Sequence, residues 1–552
     1  MDKYSWGFLL SVIFDLVITI VLLVIFCLLK KYRCSPNTNH KYKVFVPENS
    51  LNFKDLCSKI YSTTLQEIKQ ECGEEAHHYL YITKSLAILI TALCPLTEAI
   101  LIPVYKEGDS YIGDKFVISL GNILDNEKLL AAPFLILILF ILSSYYILKI
   151  CVNETLRSSS FTNINSSSLR IIGLPSHQPR PSIQKEVASC LNLPTENIYV
   201  VPNLTKSMEY EKLLNHAKEE LLHYLDVEKF KGKRELIKLK YFSREKVDSV
   251  EYWEKQVNVY TYKLENEYKE SRTTNSGVCI VNVLPNTRIE DLKLRVKEKF
   301  SGAYLATVVV PNDVKWENIE NDERTARVNH VLSTLLFFFI FLVLFTPTSF
   351  LSVIYSLLSS IGMANILIGL LGVYGPSILM LIYQLAIVPA AVAYLVKREK
   401  HYSKSAEVIS SMRKFLLFFL FSMLFIPAIG LGVVSIISLA LETGSFNSWS
   451  EDMTRRIYES IFWFLSVILT QTFIVSIADL VRIGIVIEMK YRSLRAIGER
   501  EAYKAYVPDN FFYAYEYSML VTCFTIILLF SIAYPLILIF GSAYLWVRVI
   551  NI

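Results

Sequence analysis

Charged residues are scarce in this chain. Of its 552 residues only 19% are Asp, Glu, Lys or Arg, while 53% are hydrophobic and the mean hydropathy is +0.38. An average soluble domain carries about 25% charged residues. The shortfall excludes a soluble enzyme, a secreted disulfide scaffold and a disordered regulator. Metal and disulfide signatures are missing as well. The nine cysteines, at 27, 34, 57, 72, 94, 151, 190, 279 and 523, contain no CxxC pair and no regular spacing, so they read as free thiols. The eight histidines show no ligand pattern beyond the His77-His78 pair, which reads as interfacial and inert. No Walker loop, HExxH or GxSxG occurs. Nothing points to an enzyme or an ATP-driven pump, and no cofactor or metal is expected. The formal net charge of +5 is too modest to imply a nucleic-acid partner.

What is present is a set of long apolar runs. Nine stretches are candidate spans: Trp6–Leu29, Tyr81–Val104, Leu130–Cys151, Val328–Phe350, Asn365–Val396, Phe415–Leu441, Ile457–Ile487, Phe512–Ala533 and Tyr534–Val549. Most exceed the roughly 18 apolar residues that cross a hydrocarbon layer of about 30 Å. The first resembles a signal peptide but is too long for one, and Lys30, Lys31 and Arg33 follow it rather than precede it. It reads as a retained anchor with its N-terminus outside. With that orientation the short inner connections hold 19 Lys and Arg and the outer ones 6, the asymmetry expected of inner loops. The one long polar block, 152–327, then lies in the cytosol. The glycosylation patterns at Asn153, Asn165 and Asn203 are expected to stay unmodified there.

That block reads as a domain. After a Ser- and Asn-rich connector, strands are expected at Leu169–Leu174, Asn197–Val201, Gly277–Val283 and Ala306–Val310. Helices are expected at Ser182–Leu191, Thr205–Leu225, Val250–Tyr268 and Ile289–Phe300. Two βαβ units around a helical insertion suggest an α/β, ferredoxin-like (RRM-like) sheet. An RNA reader of this fold stacks bases on exposed aromatics. The strand Gly277–Val283 has none, so a coupling domain without nucleic acid is the expectation. The chain divides into 1–151 with three spans, 152–327, and 328–552 with six spans.

Ionisable groups at membrane depth are costly and usually functional. Asp15 lies within the first span and Glu98 within the second; they read as a packing residue and an interfacial residue. The seventh span holds Gln471, Asp479 and Arg482, with Gly484 beyond, and Glu516 opens the eighth. Asp479 and Arg482 are i, i+3 neighbours and can share a helix face. Spacing leaves two readings open, a pore lining and an internal ion pair that locks packing. Helix breakers crowd the later spans: Pro347, Gly369, Gly372, Gly375 and Pro376, Pro389, Pro427, Gly430 and Gly432, Gly484, and Pro535. Backbone broken in this way is tolerated where protein or a water cavity satisfies it.

Several segments, in order, resemble the OSCA-type calcium-permeable stress-gated cation channels, relatives of the anoctamins. They are Glu71-Cys-Gly-Glu with Ile102-Pro103; Val310-Pro-Asn-Asp-Val-Lys-Trp-Glu-Asn-Ile319 with Glu323-Arg324 and Arg327; and Ser403-Lys-Ser-Ala-Glu407 before Lys414-Phe-Leu-Leu-Phe. Two more are Ala478-Asp-Leu-Val-Arg-Ile483 and Tyr534-Pro-Leu-Ile-Leu-Ile-Phe-Gly541 with Tyr544. The resemblance implies a mechanically or osmotically gated channel whose ion path is lined by spans four to eight within each subunit. Asp479 takes the position of the family's acidic pore residue, one methylene shorter, and Arg482 that of its basic one. Gln471, Gly484, Glu516, Pro376, Pro427 and Pro535 are further pore or gating candidates. Membrane lipids and permeating calcium, potassium and sodium ions are the implied partners, with a monomer or a homodimer allowed. The implied location is the plasma membrane, or else an intracellular membrane. The family continues past the last span seen here, so either a fragment or a short form is expected. A phospholipid scramblase and a non-conducting scaffold are the competing functions.

Overall fold

The computed structural model describes residues 12–13, 15–25, 62–108, 118–123, 126, 128–158, 168–238, 246–271, 274–283, 289–307, 313–319, 323–360, 383–425, 461–481, 483–506 and 511–551. Five helices among them are long and apolar enough to cross a membrane: Glu74–Lys106, Ala131–Thr155, Thr325–Val343, Lys404–Phe425 and Tyr513–Ala533. Two shorter apolar helices, Asp15–Ile25 and Phe464–Asp479, fall within the first and seventh predicted spans, and a third, Ile537–Asn551, overlaps the ninth and runs two residues past it. Of the fifth predicted span, only the part from Tyr383 onward lies within the described residues.

These helices have two kinds of surface. Ala131–Ser158 buries Ile136, Phe140 and Cys151 but exposes Phe134, Leu135, Ile141, Leu142, Tyr145 and Tyr146. A soluble protein rarely shows so large an apolar belt; here the hydrocarbon layer is its solvent. The inner surfaces share one core, in which Tyr79, Ile90, Leu101, Phe415, Phe419, Phe464, Ile527, Leu538 and Tyr544 are almost wholly buried. Phe464 stacks on Phe530 with ring centroids 3.9 Å apart. The six described cysteines are free.

Pro535 folds the chain end back on itself. Its ring cannot continue the ladder of Tyr513–Ala533. Tyr534 turns extended at φ −148°, and Ile537–Asn551 starts a new helix. The two helices then approach at Gly541. A Cβ there would lie 2.8 Å from three side-chain atoms of Ile527, so no larger residue fits unless the pair moves apart.

The polar block forms a four-stranded antiparallel sheet: β1 (Ser168–Ile172), β2 (Ile198–Val200), β5 (Val278–Asn282) and β6 (Tyr304–Thr307). Their order is β2-β5-β1-β6. Ile171 pairs with Cys279 on one side and Leu305 on the other, and Tyr199 pairs with Ile280. The last strand begins two residues earlier than Ala306. The turn at Gly302, with φ +93°, reverses the chain just before it. Helices Arg180–Leu191 and Ile289–Lys299 cover one face, packing Ile183, Val187, Leu292 and Val296 on Leu169, Ile171 and Val281. Between β2 and β5 stand two long helices, Thr205–Lys231 and Ser249–Ser271, packed on each other. A short hairpin links them, β3 (Leu236–Lys238) against β4 (Lys246–Asp248). Three-residue strands of this kind carry too little periodicity to be read from sequence.

The opposite face of the sheet is covered by the chain itself. Ile172 and Val278 pack against Val314 and Ile319, with Ile280, Tyr304 and Tyr402 at the edge. The guanidinium of buried Arg170 sits 3.7 Å above the Tyr402 ring, a cation–π contact largely shielded from water.

Candidate functional site

The seventh, eighth and ninth predicted spans meet at an ion network. Arg548, near the end of the last helix, donates to Asp479 at 2.6 Å and to Glu516 through its other terminal nitrogen. The Arg548 side chain is 4% exposed, Glu516 14% and Asp479 28%. Arg548 therefore sits between two carboxylates, and Asp479 is the most exposed of the three. Asn551 donates its amide to the Ser476 carbonyl at 2.5 Å and fixes the same two helices. Around the network lie the buried rings of Tyr79, Tyr515 and Tyr544. Such a low-polarity shell strengthens the attraction, and it also raises the cost of removing any one charge.

The helix carrying Asp479 is irregular just before it. Gln471–Val475 is a π-helical turn between Ile461–Thr470 and Ser476–Val481. A π turn inserts one extra residue and frees carbonyls; the Ser476 hydroxyl donates to the Gln471 carbonyl at 2.9 Å. Gln471 is buried, and its Oε1 has no hydrogen-bond partner among the described residues. Two neighbouring spans have the same irregularity, at Tyr383–Ile387 before Pro389 and at Leu420–Phe425 before Pro427. At Asp15 the first span joins this region: the buried carboxylate accepts from the Thr470 hydroxyl at 3.1 Å.

A second cluster lies where the polar block meets the helices. Glu399 follows helix Val388–Arg398 and is fully buried. It receives Lys414 Nζ at 2.5 Å on Oε1 and the Ser410 hydroxyl at 2.6 Å on Oε2. His401 Nε2 and His330 Nδ1 lie 2.5 Å and 3.2 Å from Oε2. Burial alone would push this carboxyl up; hydrogen bonds from His401, Lys414, Ser410 and Ser333 outweigh it and hold the group well below the usual carboxylate range. Beside it, two of the segments quoted above dock on each other. Val314 bridges to Ser403, the Lys315 amide donates to the Tyr402 carbonyl at 2.8 Å, and Lys315 pairs with Glu407. The Asn318 amide donates to the His401 carbonyl and Asp313 accepts from the Ser405 amide, both at 2.8 Å. Ser403 also caps the helix that follows, accepting from the Ala406 amide at 3.1 Å.

The polar block also reaches the helices through its long hairpin. His223 meets Glu501 at 2.6 Å and Glu219 meets Lys504 at 2.5 Å, both partners lying in helix Glu499–Tyr506.

Of the candidates read from sequence, Asp479 and Glu516 meet on Arg548, which the turn at Pro535 brings back to them, and Gln471 lies about two turns earlier on the helix of Asp479. Gly484 lies in helix Ile483–Arg495. Arg482, Pro376 and Pro427 lie outside the described residues. Glu98 stays near its own helix, with Cys94 Sγ 3.5 Å from its Oε1. Arg548 was missed, although a lone arginine inside an apolar run is itself a signal that it has a counter-charge. His330, Glu399 and His401 were missed because 69 residues separate the first two.

A bundle of apolar helices enclosing an ion network, with a polar block clamped to it, defines the class: a helical multi-pass membrane protein. Two family models match this chain. One, described as "Calcium-dependent channel, 7TM region", covers residues 324–551; the other, "Late exocytosis, associated with Golgi transport", covers residues 7–150. Mechanosensitive cation channel TMEM63A of Mus musculus is 22% identical over 561 residues, 91% of this chain and 66% of its own length. Mechanosensitive cation channel TMEM63B of Gallus gallus is 22% identical, over 87% of this chain and 63% of its own length. Osmosensitive cation channel TMEM63C of Danio rerio is 20% identical, over 90% and 64%. The chain thus spans just under two thirds of the length of these relatives. It belongs to the OSCA- and TMEM63-type channel family.

Proposed function

We propose that the chain is a mechanically or osmotically gated, calcium-permeable, non-selective cation channel. Its ion path is lined by spans four to eight within the subunit. The observation that carries this reading is Asp479: a membrane-depth carboxylate, 28% exposed, beside a π turn and paired with the buried Arg548. A carboxylate exposed in a narrow path attracts cations and repels anions. Tension favours whichever state has the larger area in the bilayer, so gating requires only a differential energy between two states. The π turns at Tyr383–Ile387, Leu420–Phe425 and Gln471–Val475 supply backbone that can change register cheaply.

The reading extends to the other regions. The strand order β2-β5-β1-β6 with helices on one face supports a ferredoxin-like domain over about 152–327. Its second face, the one an RNA reader would leave open, is filled by Val314, Ile319 and Tyr402, which favours a coupling role without nucleic acid. In the proposed topology this domain is cytosolic, and the plasma membrane is the proposed location. The test is stretch-evoked current from the purified chain in liposome patches. Cation current that loses its selectivity in Asp479→Lys supports the proposal. Lipid flipping without current would favour a scramblase instead.

A further inference from the structure

We propose that His330, Glu399 and His401 form a binding site for one divalent transition-metal ion of the zinc class. The three offer two imidazole nitrogens and a carboxylate oxygen, all within 4.8 Å of one another. They come from three places in the chain: the start of helix Glu323–Ser360, the turn after Val388–Arg398, and the approach to the helix capped by Ser403. Two nitrogens and one oxygen with an open fourth position is a ligand set that zinc accepts. Calcium and magnesium prefer an all-oxygen shell, so the nitrogen majority selects the zinc class.

The surroundings fit. Glu399 is fully buried and aimed at both rings, whereas His401 is 16% and His330 35% exposed, which leaves a way in. The carboxylate is held on both oxygens: Lys414 engages Oε1, and Ser410, which accepts from Lys414, donates to Oε2, the oxygen that faces the rings. Ligating carboxylates are commonly fixed by such outer partners. The Lys414 ammonium opposes the ion's charge, yet it engages the oxygen that faces away from the rings. In the metal-free structure His401 Nε2 shares a proton with Oε2, so the ion would displace that proton and part the two atoms; each ring then presents a lone pair with its remaining proton on the other nitrogen. The two rings already meet edge to face, with centroids 6.4 Å apart.

The test uses the full chain, purified in detergent and stripped with a chelating resin. Zinc is titrated against a chromogenic chelator, and cobalt is added in parallel to read the visible band of a four-coordinate site. One equivalent of zinc should bind, with a cobalt band of matching stoichiometry. His330→Gln and His401→Gln should each weaken zinc by roughly 100-fold or more, since even outer-shell changes cost about 10–100-fold. A His77→Gln, His78→Gln double variant should bind as the wild type does, and calcium or magnesium in large excess should not displace the zinc. His330 sits at the rim, so its variant keeps the fold even where changes at His401 disturb it. Absence of stoichiometric binding by the folded wild type would overturn the proposal. So would undiminished binding in His330→Gln, loss of binding on changing His77 and His78, or displacement by calcium.

Discussion

Arg548 is the residue on which the membrane-embedded chemistry turns. It is a buried cation that two carboxylates neutralise. Removing one member of a buried ion network typically costs about 3–5 kcal/mol, because the others stay charged and unpaired. Arg548→Met should therefore lower the thermal stability of the purified protein sharply. Adding Glu516→Gln and Asp479→Asn should recover most of the loss, and unfolding followed by intrinsic fluorescence measures both. If Arg548→Met alone unfolds like the wild type, the network is not the lock described. Asp479 was legible in the sequence as a charged residue in an apolar run. Its partner was not, because residue spacing reports neighbours on the same helix and Arg548 lies 69 residues further on. Spacing left a pore lining and an internal pair with Arg482 both open, and Arg482 lies outside the described residues.

At the scale of elements, composition revealed the apolar helices well. Their length and hydropathy are dictated by the bilayer, and both are written along the chain. The three π turns were not legible. A single extra residue in a helix leaves hydropathy unchanged, and only the prolines after two of them hinted at irregular backbone. The four strands of the main sheet were read to within a few residues, because short, mostly apolar runs such as Leu169–Ile172 and Val278–Val281 match a sheet covered on both faces. Missing from that reading was what covers the second face, since Val314 and Tyr402 arrive from segments with no strand character. The hairpin at Pro535 gives the clearest test at this scale. Gly541→Leu places a side chain where Ile527 already stands. Overpacking of this kind costs about 1–3 kcal/mol, and it should splay the last two helices. The expected result is a lower melting temperature, with partial rescue by Ile527→Ala; an unchanged melting temperature would mean that the helices do not touch there.

For the whole molecule, the question is how a polar block senses what the helices do. Among the described residues two attachments join them. One is the strap of Asp313–Ile319 on Tyr402–Glu407, directly beside the Glu399 cluster. The other is the contact of the long hairpin with helix Glu499–Tyr506 through Glu219–Lys504 and His223–Glu501. The Glu219–Lys504 pair is exposed, and such pairs contribute at most about 1 kcal/mol to stability. Lys504→Glu should thus leave folding intact while changing the pressure needed for opening, and Glu219→Lys in the same chain should restore it. An equal threshold in all three proteins would remove this contact from the gating path. Orientation has its own check: the patterns at Asn153, Asn165 and Asn203 should carry no glycan, and a glycosidase-sensitive mass shift would reverse the proposed topology.

The most direct measurement is stretch-activated current through the purified chain in liposome patches, wild type against Asp479→Lys, with reversal potentials recorded in asymmetric salt. Pressure should open a cation-selective current in the wild type, and Asp479→Lys should abolish that current or shift its reversal toward anions while the protein stays folded. Absence of current in folded wild-type protein, or identical current and reversal potential in the variant, would contradict a permeation path at Asp479.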